Sequence, residues 1–298
     1  MKFTISALLL AHLCMLLAEM CWGVMAPLGK DAMTHGITGI DMVAFRTVGG
    51  ALCFWLTALF TGNREHVAKR DLGLFFVAAI LGIVTNQCCY TIGLSLTSPI
   101  NASIVTTSMP IFTLLIGILF MGERLTWRKT LGIACGVSGA LALILCSAGT
   151  SGMQDGNIFG DLLCMTAQFS FACYLALFRG LITRYNTITC MKWMFLFAAI
   201  VTVPVATPSL IVMPWGDIEP RHWIETGFIV FGATYLAYIL MMRGQKKLTP
   251  TQVSVYNYVQ PVVSTIVSLF CGIATLGWMQ GIAVALVFVG VRLVARKK

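Results

Sequence analysis

The sequence predicts an all-α integral membrane protein, with ten transmembrane helices arranged as two inverted five-helix repeats. Three observations carry this. Of the 298 residues, 58% are hydrophobic and only 10% are charged, where a soluble domain carries about 25% charged residues. The apolar text falls into ten blocks, each close to the ~20 residues that cross a bilayer as helix. And SPINASIVTTSMPIFTLLIGILFMGERLTW, residues 98–127, returns in altered form as TPTQVSVYNYVQPVVSTIVSLFCGIATLGW, residues 249–278.

The blocks run approximately 7–29, 38–60, 72–93, 99–120, 128–147, 158–178, 190–211, 223–242, 251–271 and 277–295. A transmembrane barrel would need alternating segments of about 10 residues, and these blocks are too long and too evenly apolar for that. The repeat holds at a constant offset of 151, matching Pro99 to Pro250, Ser103 to Ser254, Pro110 to Pro261, Leu125 to Leu276, Trp127 to Trp278 and Gly139 to Gly290. Residues 1–148 therefore read as a first repeat, 149–157 as a linker and 158–298 as a second. With five spans in each, an odd number, the second copy must enter the bilayer from the opposite face.

The first span follows a lysine, as a signal peptide does, but its apolar run continues through Trp22 to Gly29, contains Glu19 and has no small-x-small cleavage site; a retained helix is expected. An acid near mid-span is expensive in hydrocarbon and marks a functional position with a partner. Three roles stand open for Glu19: proton carrier, counter-charge for a substrate ammonium, or ion pair with Arg46 of the second span. The third span sets Asn86, Tyr90, Gly93 and Thr97 on one face at i, i+4, i+7 and i+11. In the fourth, Ser103, Thr106, Thr107 and Pro110 share a face. Small residues Gly132, Gly136 and Gly139 allow close helix approach in the fifth, which is expected to be supporting structure.

The sixth span carries Gln168, as the first carries Glu19. The eighth places Tyr235 and Tyr238 near mid-span rather than in the interfacial belt where tyrosines gather. The ninth has two polar faces: Ser254, Asn257, Pro261 and Ser264 on one, Gln252, Tyr256 and Gln260 on the other. Pro110 and Pro261 are expected to kink their helices and free a carbonyl near the membrane centre, either to line a path or only to pack. The tenth span, like the fifth, is expected at the periphery.

The net charge of +9 would suit nucleic acid, but its placement gives orientation instead. With the N-terminus inside, cytoplasmic segments carry Lys2; Arg64, Lys69 and Arg70; Arg124, Arg128 and Lys129; Arg179 and Arg184; Arg243, Lys246 and Lys247; and Arg292, Arg296, Lys297 and Lys298. The other side has only Lys30 and Arg221. This is the positive-inside pattern, and it predicts both termini in the cytoplasm and no nucleic acid partner.

The stretch PINASIVTTSMPIFTLLIGILFMGERLTWRKTLG, with its polar lead, mid-helix proline, Gly122–Glu123 and Trp127 followed by Gly132, resembles the EamA signature of the drug/metabolite transporter superfamily, and KLTPTQVSVYNYVQP resembles it again. Trp22–Gly23, Lys30 and Arg46 also suit that family. One departure is Ala274, which stands where Glu123 has its counterpart, so any role of Glu123 is not symmetric. The resemblance implies ten helices, alternating access and export or exchange of small metabolites.

An enzyme has little support. Gly136-Val137-Ser138-Gly139 has the form found around the nucleophile of intramembrane serine proteases, but serine needs a base; His35, His66 and His222 belong to loops or span ends and His12 to the first helix. H-E-x-x-H, G-x-x-x-x-G-K-[ST] and G-x-G-x-x-G are absent, so no metal, ATP drive or cofactor is implied. The 11 cysteines are scattered, with no C-x-x-C pair.

The expectation is a secondary transporter of a bacterial inner (cell) membrane that exports a small metabolite, such as an amino acid or amine, as a monomer or weak homodimer. The competing readings are a non-transporting scaffold or sensor and the protease. Substrate contact is expected from Trp22, Asn86, Tyr90, Gln168, Tyr235, Tyr256, Asn257 and Gln260, with Glu19 and Arg46 for proton coupling or as an ion pair, and Pro110 and Pro261 as helix kinks.

Overall fold

The computed structural model describes residues 7–96, 102, 105–122, 126–127, 130–135, 138, 158–270, 285–286 and 289. Thr97, Ser103, Glu123, Gly136, Gly139, Ala274 and Gly290 lie outside them, as do most of the fifth and tenth spans. Among the described residues all regular structure is helical. The helices are α1 (Ala7–Thr34), α2 (Gly39–Phe60), α3 (Lys69–Leu96), α4 (Met109–Met121), α5 (Ile158–Leu177), α6 (Thr187–Val212), α7 (Pro220–Gln245) and α8 (250–270). A short helix, Arg179–Arg184, joins α5 to α6.

Local chemistry sets the ends. The turn after α1 uses Gly36 at φ 101°, which a side chain would strain. Thr38 then caps α2 in a reciprocal capping box with Asp41. Beyond α2, Gly62 adopts φ 64° and the Asn63 amide reaches back to the Ala58 carbonyl, a Schellman closure. Thr249 and Gln252 form a second capping box at the start of α8, with Pro250 in its first turn.

Six of these helices, α1, α2, α3, α5, α6 and α7, are long and apolar enough to cross a membrane, and Met109–Phe120 is a shorter apolar helix. Leu52, Leu59, Phe60, Leu119, Phe120 and Val205 are exposed on their outer surfaces. A soluble protein would not leave so wide an apolar surface in water; this one faces hydrocarbon.

The halves pack by exchange. Helix α1 lies against α7 and α8, α5 lies against α3 and α4, and α2 pairs with α6. The core between them holds Phe54, Phe75, Tyr174, Met191, Phe195 and Tyr238. Close approach is set by glycines 151 residues apart: a Cβ on Gly93 would lie 2.8 Å from the Gly160 carbonyl of α5, and one on Gly244 would collide with Met15 of α1.

Two further features repeat at the same offset. Helix α3 passes through a π-helical segment at Ile80–Thr85, and α7 through one at Phe231–Leu236. Residues 151 apart also touch: Gln87 Nε2 donates to Tyr238 Oη (3.1 Å), and Asn257 Nδ2 to the Thr106 carbonyl (3.1 Å).

The connections gather at two ends. At one, Glu65 accepts from the Asn186 amide (2.9 Å), Asp71 accepts from Tyr185 Oη (2.6 Å) and Arg184 Nη1 (3.4 Å), and Lys246 Nζ donates to the Tyr185 carbonyl (2.6 Å). The bond to Asp71 raises the pKa of the Tyr185 phenol above its ordinary value. Arg64, Lys69, Arg70 and Lys247 stand next in sequence to these residues, in the loops or first helical turns of the same end. At the other end, Thr38 meets Ser209 (2.9 Å) and Arg221 meets Asp31 (2.9 Å).

Candidate functional site

A partly open cavity lies where α1, α2, α3, α4, α5, α7 and α8 converge, with ≈ 480 Å³ of empty space when its open mouth is included. Its wall is made by Trp22, Met25, Arg46, Asn86, Gln87, Tyr90, Met109, Gln168, Phe171, Tyr238, Asn257 and Gln260. Aromatic and amide groups make up most of it, the mixture of apolar surface and polar anchors that small-molecule sites use.

The breaks in the helices feed this wall. A π turn adds one residue to a helical turn and leaves backbone carbonyls for other donors. In α7, the Ala233 carbonyl accepts from Trp22 Nε1 (2.7 Å), and Thr234 Oγ1, which donates to the Ile229 carbonyl, accepts from Arg46 Nε (2.9 Å). In α3, the Leu81 carbonyl accepts from Ser170 Oγ (2.8 Å).

Pro110 stands in the first turn of α4, just after a turn at residues 107–108, and Pro261 follows a 3-10 turn at Tyr256–Tyr258. Each proline thus sits directly behind a break in its span. Pro110 has no N–H for the carbonyl four residues back, that of Thr106. That carbonyl is the one Asn257 satisfies.

Asn257 continues the network. Its Nδ2 also reaches Met109 Sδ (3.2 Å) and Gln168 Oε1 (3.4 Å), and its Oδ1 accepts from Gln260 Nε2. The same Gln260 nitrogen donates to Glu19 Oε2 (2.6 Å). Glu19 is 3% exposed and so enters the site through Gln260. Asn86 Nδ2 donates to the Ala167 carbonyl (3.1 Å). Gln87, 1% exposed, gives its amide to Tyr238 but leaves Oε1 without a partner.

The structure therefore brings Trp22, Asn86, Tyr90, Gln168, Asn257 and Gln260 to one cavity, with Arg46 beside them. Tyr235 and Tyr256 stand elsewhere. Tyr235 packs on Phe54 at 4.9 Å and shares a hydrogen bond with Thr57 (2.6 Å), between α7 and α2; Tyr256 shares one with His12 Nδ1 (2.6 Å), between α8 and α1. Glu19 and Arg46 do not pair with each other: the acid takes Gln260 and the guanidinium takes Thr234. Met25, Gln87, Met109 and Phe171 join the wall without having been singled out in the sequence.

The EamA-like transporter family matches residues 9–145 and again 158–296. The chain belongs to that family. Relatives include an uncharacterized transporter of Archaeoglobus fulgidus, 25% identical over 93% of this chain and 95% of its own length. The uncharacterized transporter YyaM of Bacillus subtilis is 22% identical over 92% and 86%. The protein WALLS ARE THIN 1 of Arabidopsis thaliana is 24% identical over 83% and 55%. A solved crystal structure superposes with a TM-score of 0.77 at 20% identity, covering 95% of each chain; at that identity the likeness concerns the fold.

As an EamA-family protein, the chain is a multi-pass membrane transporter, and its cavity lies among membrane-crossing helices. A second polar cluster lies at the end of α1 and the start of α7. The rings of His35 and His222 stack at 4.3 Å and 11°, Arg221 bridges Asp31 (2.9 Å) and Glu225 (3.1 Å), and His222 Nδ1 meets Glu225 Oε2 (3.0 Å). Asp31, His35 and His222 offer ligand atoms within 4.8 Å of one another. Parallel stacked imidazoles, however, direct their in-plane lone pairs side by side rather than toward one point, and His222 is already engaged with Glu225. The cluster reads as a hydrogen-bonded clasp between two helices rather than a metal centre.

Proposed function

We propose that this protein is a secondary transporter of a bacterial inner membrane that exports a small metabolite by alternating access through the cavity formed by α1, α3 and α4 with α5, α7 and α8, with Arg46 of α2 beside it. Residues 1–148 and 158–298 act as inverted five-helix repeats joined by 149–157, with both termini in the cytoplasm. The observation that carries this is the cavity wall, where Gln87 meets Tyr238, 151 residues on, and Asn257 reaches the backbone carbonyl of Thr106, 151 residues back. Two halves that meet on an axis can exchange inward-open and outward-open arrangements around one site.

The exchanged packing of α1 and α5 supports the repeat, as do the π segments at equivalent positions. The gathering of basic loops at one end supports the orientation. Export is the direction the family resemblance implies. Trp22, Asn86, Tyr90, Gln168, Asn257 and Gln260 contact the substrate, and Glu19 acts on it through Gln260.

Counterflow in proteoliposomes tests the proposal: protein loaded with a pool of unlabelled cell metabolites should drive uptake of labelled members of that pool. A scaffold or sensor would give no counterflow for any of them. Cysteine labelling that put residues 64–70 and 243–247 on the extracytoplasmic side would overturn the inverted arrangement.

A further inference from the structure

We infer that the transported solute carries a carboxylate and that Arg46 is the group that binds it; this rests on the transporter reading and adds the sign of the substrate's charge. Arg46 is 3% exposed, on a helix inside the bundle. A guanidinium stays charged in a protein and offers five N–H donors in a planar fork. Burying such a charge is unfavourable unless it is paired and its hydrogens are taken up.

Among the described residues one of the five is taken up. Nε donates to Thr234 Oγ1, and among the described residues no carboxylate forms an ion pair with the guanidinium and no acceptor takes its terminal N–H groups. Those terminal nitrogens are also not sealed away in the packing, unlike the partnerless buried atoms elsewhere in the bundle. Arg46 lines the cavity, and a smaller hollow between α1, α2 and α3 as well.

The rest of the wall does not balance the charge. It contains amides, thioethers and aromatic rings, and Arg46 is its single charged member. The nearby acid, Glu19, is absent from the wall and is held by Gln260. In a low-dielectric cleft one unbalanced charge fixes the sign of the ion that enters, and a forked guanidinium matches the two oxygens of a carboxylate. A solute with only an ammonium would be repelled. The faces of Trp22, Phe171 and Tyr238 suit an apolar body behind the acid group.

The test uses purified full-length protein in nanodiscs of zwitterionic lipid. Two matched sets of probes differ only in the polar head: phenylacetate, phenylacetamide and phenethylamine; and butyrate, butyramide and butylamine. Thermal unfolding at rising probe concentration reads binding, and proteoliposome counterflow of labelled phenylacetate reads transport. The acids should stabilise the protein and the amides and amines should not. Arg46→Gln should weaken acid binding about 10- to 100-fold, and Arg46→Lys, which keeps the charge but loses the fork, should fall between.

The inference is overturned if amides or amines bind the unaltered protein as well as the acids do, if none of the six probes binds, or if Arg46→Gln binds the acids unchanged. The first two outcomes need no variant to fold. Acid-selective binding without counterflow would instead sink the transporter reading and leave the anion site standing, whereas counterflow of metabolites with no preference for acids would do the reverse.

Discussion

Asn257 ties three elements together with one amide: its nitrogen serves the Thr106 carbonyl ahead of α4 and Gln168 of α5, and its oxygen takes Gln260 within α8. Asn257→Ala should therefore remove both the side-chain donor to the Thr106 carbonyl and the acceptor that takes Gln260. The cost should be about 1–3 kcal/mol, read as a lowered unfolding midpoint in detergent; an unchanged midpoint would mean that another donor replaces it. Glu19→Gln separates the open roles of that acid. A glutamine can still accept from Gln260, so the fold and solute exchange should persist while proton-driven flux is abolished if Glu19 carries the proton; intact proton-driven flux would remove it from coupling. These polar residues were legible because acids and amides stand out in apolar text. Tyr235 and Tyr256 were not, since a phenol in a span needs a partner but the sequence does not say whether that partner is a solute or a neighbouring helix. Here it is Thr57 for one and His12 for the other. Phe171 and Met25 carry no polar signal at all, and only the packing of α1 against α7 and α8 and of α5 against α3 and α4 brings them to a wall.

Helices α3 and α7 are where three-dimensional structure departs from periodicity. Their apolar blocks were plain in the sequence, but ILGIVT and FGATYL have nothing in their composition that distinguishes a π turn from an α turn. Beyond the π segment the helix is regular again, and helical spacing from Asn86 correctly selects Tyr90 for the wall; Gln87 joins them there, while Gly93 faces α5. The proline breaks were half legible, because the missing N–H can be read from the residue type while the partner of the freed carbonyl lies 151 residues away. Gly93 and Gly244 give a test of how alike the two interfaces are. Each seats its helix against a partner, but Gly93 meets the Gly160 backbone whereas Gly244 meets the flexible thioether of Met15. Gly93→Ala should cost about 1–3 kcal/mol because a carbonyl cannot give way, and Gly244→Ala under about 1.5 kcal/mol because Met15 can adjust. Gly73, exposed with nothing within 4 Å of an added Cβ, is the control: Gly73→Ala should be neutral or stabilising by up to about 1 kcal/mol. Equal losses at Gly93 and Gly244 would show that helix separation, not the identity of the atom met, sets the cost.

Alternating access requires one end of the bundle to part while the other closes, and the clasp between α1 and α7 marks an end that is closed in this structure. Asp31 and His35 at the end of α1 meet Arg221, His222 and Glu225 at the start of α7 through ion pairs and a ring stack, while these same helices carry Trp22 and Tyr238 to the cavity wall. If solute leaves or enters at this end, α1 and α7 must separate there, and holding them together must stop turnover without disturbing the cavity. Replacing the 11 native cysteines and introducing His35→Cys with His222→Cys, where the rings now lie 4.3 Å apart, supplies the constraint. Oxidation should abolish counterflow, reduction should restore it, and each single variant should transport under both conditions. Binding to the oxidised protein, measured by thermal stabilisation, should survive from whichever side stays open, which distinguishes a locked gate from a damaged site. Full counterflow with the cross-link formed would mean that this end never opens, and the exchange of access would then have to be sought between α5 and α3, the pair that stands to the second half as α7 and α1 stand to the first.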